Sequence, residues 1–222
     1  MTHLRGKFIV FDGNEGCGKS TQAKMVQSVL EQAGLKVLLI RDPGTTRIGE
    51  MVRQILLDPQ NKEMGTRCEM LLFMAARAQM LKEIIQPALE RGAVVLSDRF
   101  ISSTLAYQLG GEGLTEAEIL SVGQVAVNNH WPDLTIIFDL PVEVSNARVR
   151  PKFALFPDDP MAGAEKDRIE LRSLEYHERV RANYLKQAKN RRLKYRVVDA
   201  NRSLEDVHVD VMRLLGSLKS QA

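Results

Sequence analysis

Lys7-Phe8-Ile9-Val10-Phe11-Asp12, followed without a break by Gly13-Asn14-Glu15-Gly16-Cys17-Gly18-Lys19-Ser20, is the stretch that decides the fold. The first six residues form a short apolar run, the pattern of a buried strand. The next eight match G-x-x-x-x-G-K-[ST] at every fixed position. A helically spaced segment opens directly afterwards, over 19–33. Strand, Gly-rich loop and helix in that order make a phosphate cradle. Glycines let successive backbone N–H groups converge on a polyphosphate, and the helix N-terminus adds the positive end of a dipole. Lys19 then reaches the β- and γ-phosphates, and the Ser20 hydroxyl can ligate Mg²⁺. Lys19 is expected to stand exposed on the donor side of the empty loop.

Outward from this loop, four more short apolar runs read as strands: 36–41, 93–97, 134–139 and 195–199. Most are apolar on both faces, as strands buried in a parallel sheet require. Helical spacing covers 47–57, 66–91, 115–129, 167–190 and 203–219. Strands alternating with helices predict an α/β fold of the P-loop NTPase type, a five-stranded parallel sheet with helices on both faces. The 222 residues suit one domain, 1–222. Residues 151–165 hold three prolines and read as a mobile loop, a lid over about 148–168.

Composition narrows the class further. Hydrophobic residues make up 44% and charged residues 27%, the balance of a soluble protein. No apolar run approaches the ~20 residues of a membrane span, and the N-terminus lacks a secretory pattern. Cys17 and Cys68 form no metal-like pair. A reducing cytoplasm is the expected compartment and no membrane partner is expected. The net charge is only +3, yet residues 146–196 hold 14 Lys and Arg against 7 Asp and Glu. Such a segment suits a polyanion, either nucleic acid or a nucleotide's phosphates.

A phosphate loop alone does not separate a kinase from a GTPase, a motor or a DNA-handling ATPase. The N-K-x-D stretch of guanine recognition is missing, so the discrimination must come from an acceptor site. Arg41-Asp42-Pro43-Gly44 follows the second strand and Asp98-Arg99-Phe100 the third, at the sheet edge where open parallel sheets bind ligands. Phe73 and Arg77 stand four apart in a helical segment and so share a face. A ring beside a guanidinium can stack on a base and bond its edge. Ser102 to Gln108 is dense in hydroxyls and amides.

Taken in order, these strings resemble the thymidylate kinase family over nearly the whole chain. Glu15 before the second loop glycine fits the family's G-x-[ED]-G-x-G-K-[ST]. Arg41 to Gly44 is similar to R-E-P-G-G-T, and Leu72 to Gln79 to L-F-x-A-x-R-x-Q. Asp98-Arg99-Phe100 with Ser103, Ala106, Tyr107 and Gln108 resembles D-R-[YH]-x-x-S-x-x-A-Y-Q-G. Pro132-Asp133-Leu134 with Asp139-Leu140, Asp167-Arg168-Ile169-Glu170 and Asp199-Ala200 complete the series.

The resemblance implies an ATP-dependent kinase for dTMP that uses Mg²⁺, works as a homodimer and has no nucleic-acid partner. Gly13, Asn14, Glu15, Gly16, Cys17, Gly18, Lys19, Ser20 and Thr21, with Arg148, would hold ATP, and Ser20 and Asp98 would serve the metal. Phe73 would stack on thymine, Arg77 would bond a base carbonyl, and Thr104 would meet the other edge. Arg41, Pro43, Arg99 and Gln108 would line the acceptor side, with Arg99 on its phosphate. Glu15 would face the 3′-hydroxyl, and Tyr107 would crowd C2′. Arg150 and Arg168, from the lid, would join Lys19, Arg99 and Glu15 in catalysis. Residues 199–203 would flank adenine.

Four departures stand out. Thr45 replaces the second glycine of R-E-P-G-G-T, Leu109 the glycine after Gln108, and Phe100 the usual Tyr or His. The 151–165 segment is longer than the family's usual lid. Two other readings remain open from sequence: a kinase for another nucleoside monophosphate or a deoxynucleoside, and a nucleic-acid-binding ATPase using the basic segment.

Overall fold

A computed structural model describes residues 1–148, 167–190 and 194–218. Five strands form one sheet: β1 (Phe8–Gly13), β2 (Val37–Arg41), β3 (Val94–Asp98), β4 (Leu134–Asp139) and β5 (Tyr195–Asp199). Their order is β2-β3-β1-β4-β5 and every pairing is parallel. All five lie within one residue of the runs read from sequence. β1 sits between β3 and β4, but the chain leaves it through α1 (Lys19–Gln32) for β2 at the far edge. The crevice at the C-terminal end of β1 is therefore the topological switch point.

Alternation along the strands splits the core in two. Ile9 and Phe11 of β1, with Leu96, Ile136 and Phe138, pack on Ala23, Val26 and Leu30 of α1 and on Val207, Val211 and Leu215 of α9 (Leu204–Gly216). Phe8 and Val10, with Ile40 and Val95, pack on Met70 and Met74 of α3 (Thr66–Met80) and on Ile119 and Val127 of α6 (Glu116–Val127). Helices thus cover both faces, as the apolar strands required.

The single helix expected over 66–91 is three pieces in the structure. After α3, a π-helical turn spans Leu81–Ile85 and α4 resumes over Gln86–Glu90. Pro87 lies in the first turn of α4. It carries no N–H to donate, and the ladder shifts to i→i+5 bonds just before it, as in Gln86 N–H to Leu81 O. The helix expected from 167 begins only at Leu174, as α8 (Leu174–Asn190). Residues 167–170 instead form a tight turn in which Asp167 Oδ1 accepts from the N–H groups of Ile169 and Glu170. Ser173 then starts the helix by accepting from Tyr176 N–H. Two further helices were not foreseen, α5 (Ile101–Tyr107) and α7 (Val142–Arg148); α2 (Arg47–Leu57) matches its reading. The expected lid lies almost wholly outside the described residues, and Arg150 with it.

Candidate active site

Gly13 ends β1 and opens the phosphate loop. Its φ is +138°, and a Cβ there would sit 2.5 Å from Phe138 O of the neighbouring strand, so only glycine fits. Gly18, at φ +89°, turns the loop into α1. From the other side, Ser145 of α7 donates to Glu15 O at 2.5 Å and pins the loop's crest. Lys19 differs from its reading. It is 5% exposed, because its ammonium curls back onto Asn14 O at 2.7 Å and Gly13 O at 3.2 Å. Beside it, burial pushes the Cys17 thiol above its usual range, against the pull of Lys19 and Arg99. Ser20 Oγ donates to Asp98 Oδ2, and Thr21 is exposed one residue on. Arg148, at the end of α7, donates to Ala200 O at 3.3 Å and so stands beside the 199–203 loop.

Arg99 joins this loop to α5. It has φ +72°, a left-handed backbone that a long side chain seldom adopts. Its N–H bonds Phe11 O, and its carbonyl accepts from Ser97 Oγ. The guanidinium reaches Glu15 Oε1 at 2.5 Å and Gly13 O at 3.2 Å on the loop. It also meets Ser103 Oγ at 3.1 Å and Tyr107 OH at 3.3 Å on α5. Burial alone would lower its pKa, but Glu15, Tyr107, Tyr184 of α8 and Asp12 hold it well above the usual value. Burial raises the Tyr107 phenol, although Arg99 opposes the shift, so Tyr107 meets Arg99 as a neutral hydroxyl.

Sequence reasoning passed over Asp12, the last polar residue before the loop. Its carboxylate is fully buried and accepts from Ser102 Oγ at 2.5 Å, Tyr184 OH at 2.6 Å, Ser103 Oγ at 2.8 Å and Gly13 N–H at 3.0 Å. A carboxylate closing a strand just before a phosphate loop was the available signal. Tyr184 of α8 gave none, because it lies 172 residues from Asp12 in the chain.

The residues read as a wall for the acceptor's base lie side by side. Arg77, wholly buried, lies 5.6 Å from the Phe73 ring centre. It bonds Asp42 Oδ2 and Thr104 Oγ1, both at 2.7 Å. Its Nη2 has no well-aligned hydrogen-bond partner, although it lies 2.7 Å from the same Asp42 oxygen. Burial raises the Asp42 pKa against the pull of Arg77. The Arg41 guanidinium lies 2.9 Å from Glu50 Oε1 of α2, and Pro43 O accepts from Arg53. Thr45, the departure from glycine, adopts φ +69°. Its hydroxyl both accepts from Arg41 N–H and donates to Arg41 O at 2.9 Å, which holds a β-branched residue in a conformation suited to glycine.

Among the described residues expected to act in catalysis, Arg168 is the one whose contacts lie away from the phosphate loop. It is buried against Leu56 O at 3.0 Å and pairs with Glu69 of α3. Glu69 is fully buried and also takes Gln108 Nε2 and Arg172, each at 2.6 Å. The reason is the turn at 167–170, which directs Arg168 toward α3. Arg172 in turn lies over the Tyr176 ring, and Tyr176 donates to Tyr107 O at 3.0 Å. Burial pushes the Tyr176 phenol up to about 12. Removing Arg168 leaves Glu69 two of its three partners. Arg168→Ala is therefore expected to cost ~1–3 kcal/mol, a drop in melting temperature of roughly 2–12 °C for a chain of this size. Thermal denaturation checks this, and an unchanged melting temperature contradicts it.

The thymidylate kinase family model matches residues 11–211. A thymidylate kinase of Pseudomonas syringae pv. tomato is 42% identical over 215 residues, covering 97% of each chain. That of Nitratidesulfovibrio vulgaris is 43% identical over 213 residues, 96% of this chain and 97% of the relative. The crystal structure of thymidylate kinase from Ehrlichia chaffeensis superposes with a TM-score of 0.72 at 27% identity, covering 95% of this chain and 98% of that one.

Proposed function

The chain belongs to the thymidylate kinase family, and from that premise we propose how its residues transfer the γ-phosphate of ATP to dTMP, giving ADP and dTDP for dTTP synthesis. The observation that carries the proposal is Arg99, whose guanidinium touches the phosphate loop through Glu15 and Gly13 O and the acceptor helix through Ser103 and Tyr107. One cation bridging the two halves suits a reaction that must bring two polyanions together. A nucleoside monophosphate is already an anionic nucleophile at neutral pH, so no strong base is needed. The work is alignment and charge neutralisation.

On the donor side, Gly13 to Thr21 cradle the triphosphate and Lys19 leaves its loop carbonyls for the β- and γ-phosphates. Arg148 and the 199–203 loop flank the adenosine. Ser20 and Asp98 offer a hydroxyl and a carboxylate to one point, hard oxygen donors that fit Mg²⁺, an ion that takes its remaining ligands from water and phosphate. Bound there, it would neutralise phosphate charge. On the acceptor side, Phe73 stacks on thymine, Arg77 and Thr104 read the base edge, and Arg99 with Arg41 holds the phosphate. Pro43 and Gln108 complete the wall. Glu15 positions the sugar's 3′-hydroxyl. Arg150, outside the described residues, remains the lid arginine of this reading, while Arg168 belongs with Glu69.

Tyr107 selects deoxyribose. A ring pressed on C2′ excludes a 2′-hydroxyl by volume and leaves it without a partner. Expected is a kcat/KM for dUMP at least about tenfold above that for UMP, equivalent to ~1.4 kcal/mol. Equal values would remove Tyr107 from this role.

The reading extends to a cytoplasmic, single-domain homodimer that binds neither membrane nor nucleic acid. Among the described residues no helix is long and apolar enough to cross a membrane. Ile48, Met51 and Ile55 on α2 and Leu71 on α3 are exposed apolar residues that a second subunit can cover. Arg168 and Arg172 spend their charge on Glu69, and Arg181 spends its own on Asp139, which weakens the case for the basic segment as a nucleic-acid surface. ADP release measured with dTMP, dUMP, UMP, CMP and thymidine tests the acceptor assignment. A preference for UMP, CMP or thymidine would move the chain to another acceptor class. ATPase activity that needs added DNA instead of dTMP would favour the nucleic-acid reading.

A further inference from the structure

Tyr184 stands behind Arg99 and touches neither Lys19 nor the base wall. It lies on α8, is 1% exposed, and packs in a small cluster with Ala106, Tyr107, Ile137 and Val180. Its hydroxyl sits at a junction: 2.6 Å from Asp12 Oδ1, 3.2 Å from Arg99 Nη1 and 3.1 Å from Ser103 Oγ. Counting protons fixes the direction of these contacts. A hydroxyl has one proton to give and lone pairs to receive. The Tyr184 proton goes to the Asp12 carboxylate, at the shortest of the three distances, and the Ser103 proton goes to the same oxygen at 2.8 Å. Neither is left for the contact between the two hydroxyls. Both oxygens therefore turn lone pairs toward Arg99 Nη1, which can only donate. Asp12 orders the hydroxyls, and the hydroxyls order the guanidinium. Burial and the adjacent Asp12 hold the phenol well above its ordinary pKa, consistent with a proton kept in place.

We propose that Tyr184 is a positioning residue for phosphoryl transfer, its hydroxyl relaying the orientation of Asp12 to the Arg99 guanidinium. The inference rests on the reading of Arg99 as the acceptor-phosphate clamp. Arg99 needs such support, because Glu15 draws its Nη2 at 2.5 Å while Asp12 Oδ1 lies 3.4 Å from Nη1. Without the relay the fork can swing toward Glu15, which is 37% exposed. Packing alone does not explain the hydroxyl, since the ring's contacts with its apolar neighbours and its edge-on approach to Tyr107 need only a phenyl group.

Tyr184→Phe keeps the ring and removes the relay. Expected is a fall in kcat of about tenfold and a rise of several-fold in KM for dTMP, with KM for ATP within twofold of wild type. Ser103→Ala, which strips a second acceptor from the same Arg99 nitrogen, supplies an independent arm. The double variant should lose less than the product of the single losses, because both act through one guanidinium. Arg99→Ala is measured in parallel and should lose at least tenfold. If it does while Tyr184→Phe shows only a lower melting temperature with kcat and both KM values unchanged, the relay is overturned and the clamp stands. Strictly multiplicative losses in the double variant overturn it as well. An Arg99→Ala enzyme of normal activity would overturn the clamp, and the relay with it.

Discussion

Lys19→Ala is expected to lower kcat by on the order of 10³-fold or more, the scale at which a cation on a migrating phosphoryl group acts. The expectation comes from the complete loop, its strand-to-helix setting and the absence of any arginine between Gly13 and Ser20. The side chain is buried before ATP arrives, so the substitution also touches the empty protein. Two hydrogen bonds to Asn14 O and Gly13 O disappear, but so does a desolvated charge. The two effects oppose, and a net cost of ~1 kcal/mol lowers the melting temperature by only about 2–4 °C. Single-turnover rates with labelled ATP, alongside a thermal melt, check both parts. A variant within tenfold of the wild-type rate would contradict the donor-side assignment.

Phe73→Ala is expected to raise KM for dTMP roughly 5- to 150-fold, the equivalent of ~1–3 kcal/mol of base stacking, while KM for ATP stays near its starting value. The ring is 8% exposed and the Arg77 guanidinium approaches its face. Truncation will therefore also cost about 3 kcal/mol of stability, and the assays belong well below the variant's melting temperature. Initial-rate kinetics with each substrate varied in turn decide the matter. A loss of ATP affinity with dTMP affinity intact would assign Phe73 to the donor side or the core.

Much of this was legible in the sequence because the physics involved is local. A strand buried in a parallel sheet must be apolar on both faces, and most of the five runs announced themselves that way; β5, Tyr195–Asp199 at the sheet edge, is the most polar of them. The phosphate loop is a local device whose glycines, lysine and serine act within a few residues of each other. What was not legible depends on partners distant in the chain. The helices α5 and α7 have seven residues each, too few for helical periodicity to declare itself. Glu69 drew no reading from the sequence, because its partners Arg168 and Arg172 lie about a hundred residues later in the chain. Asp12 reads as a strand end until Ser102, Ser103 and Tyr184 converge on it. Lys19 reads as exposed because its loop carbonyls are acceptors only in three dimensions. Arg168 shows the same limit from the other side: the string Asp167-Arg168-Ile169-Glu170 signals a lid residue, but the Asp167 turn sends its side chain elsewhere.

The most direct test follows the γ-phosphate itself. The enzyme is incubated with ATP labelled at the γ-position, Mg²⁺ and dTMP, and the products are separated by chromatography. The account predicts label in dTDP, formed in equal amount with ADP and dependent on dTMP. Label appearing only as inorganic phosphate, or passing to UMP or thymidine while dTMP stays unlabelled, would contradict it.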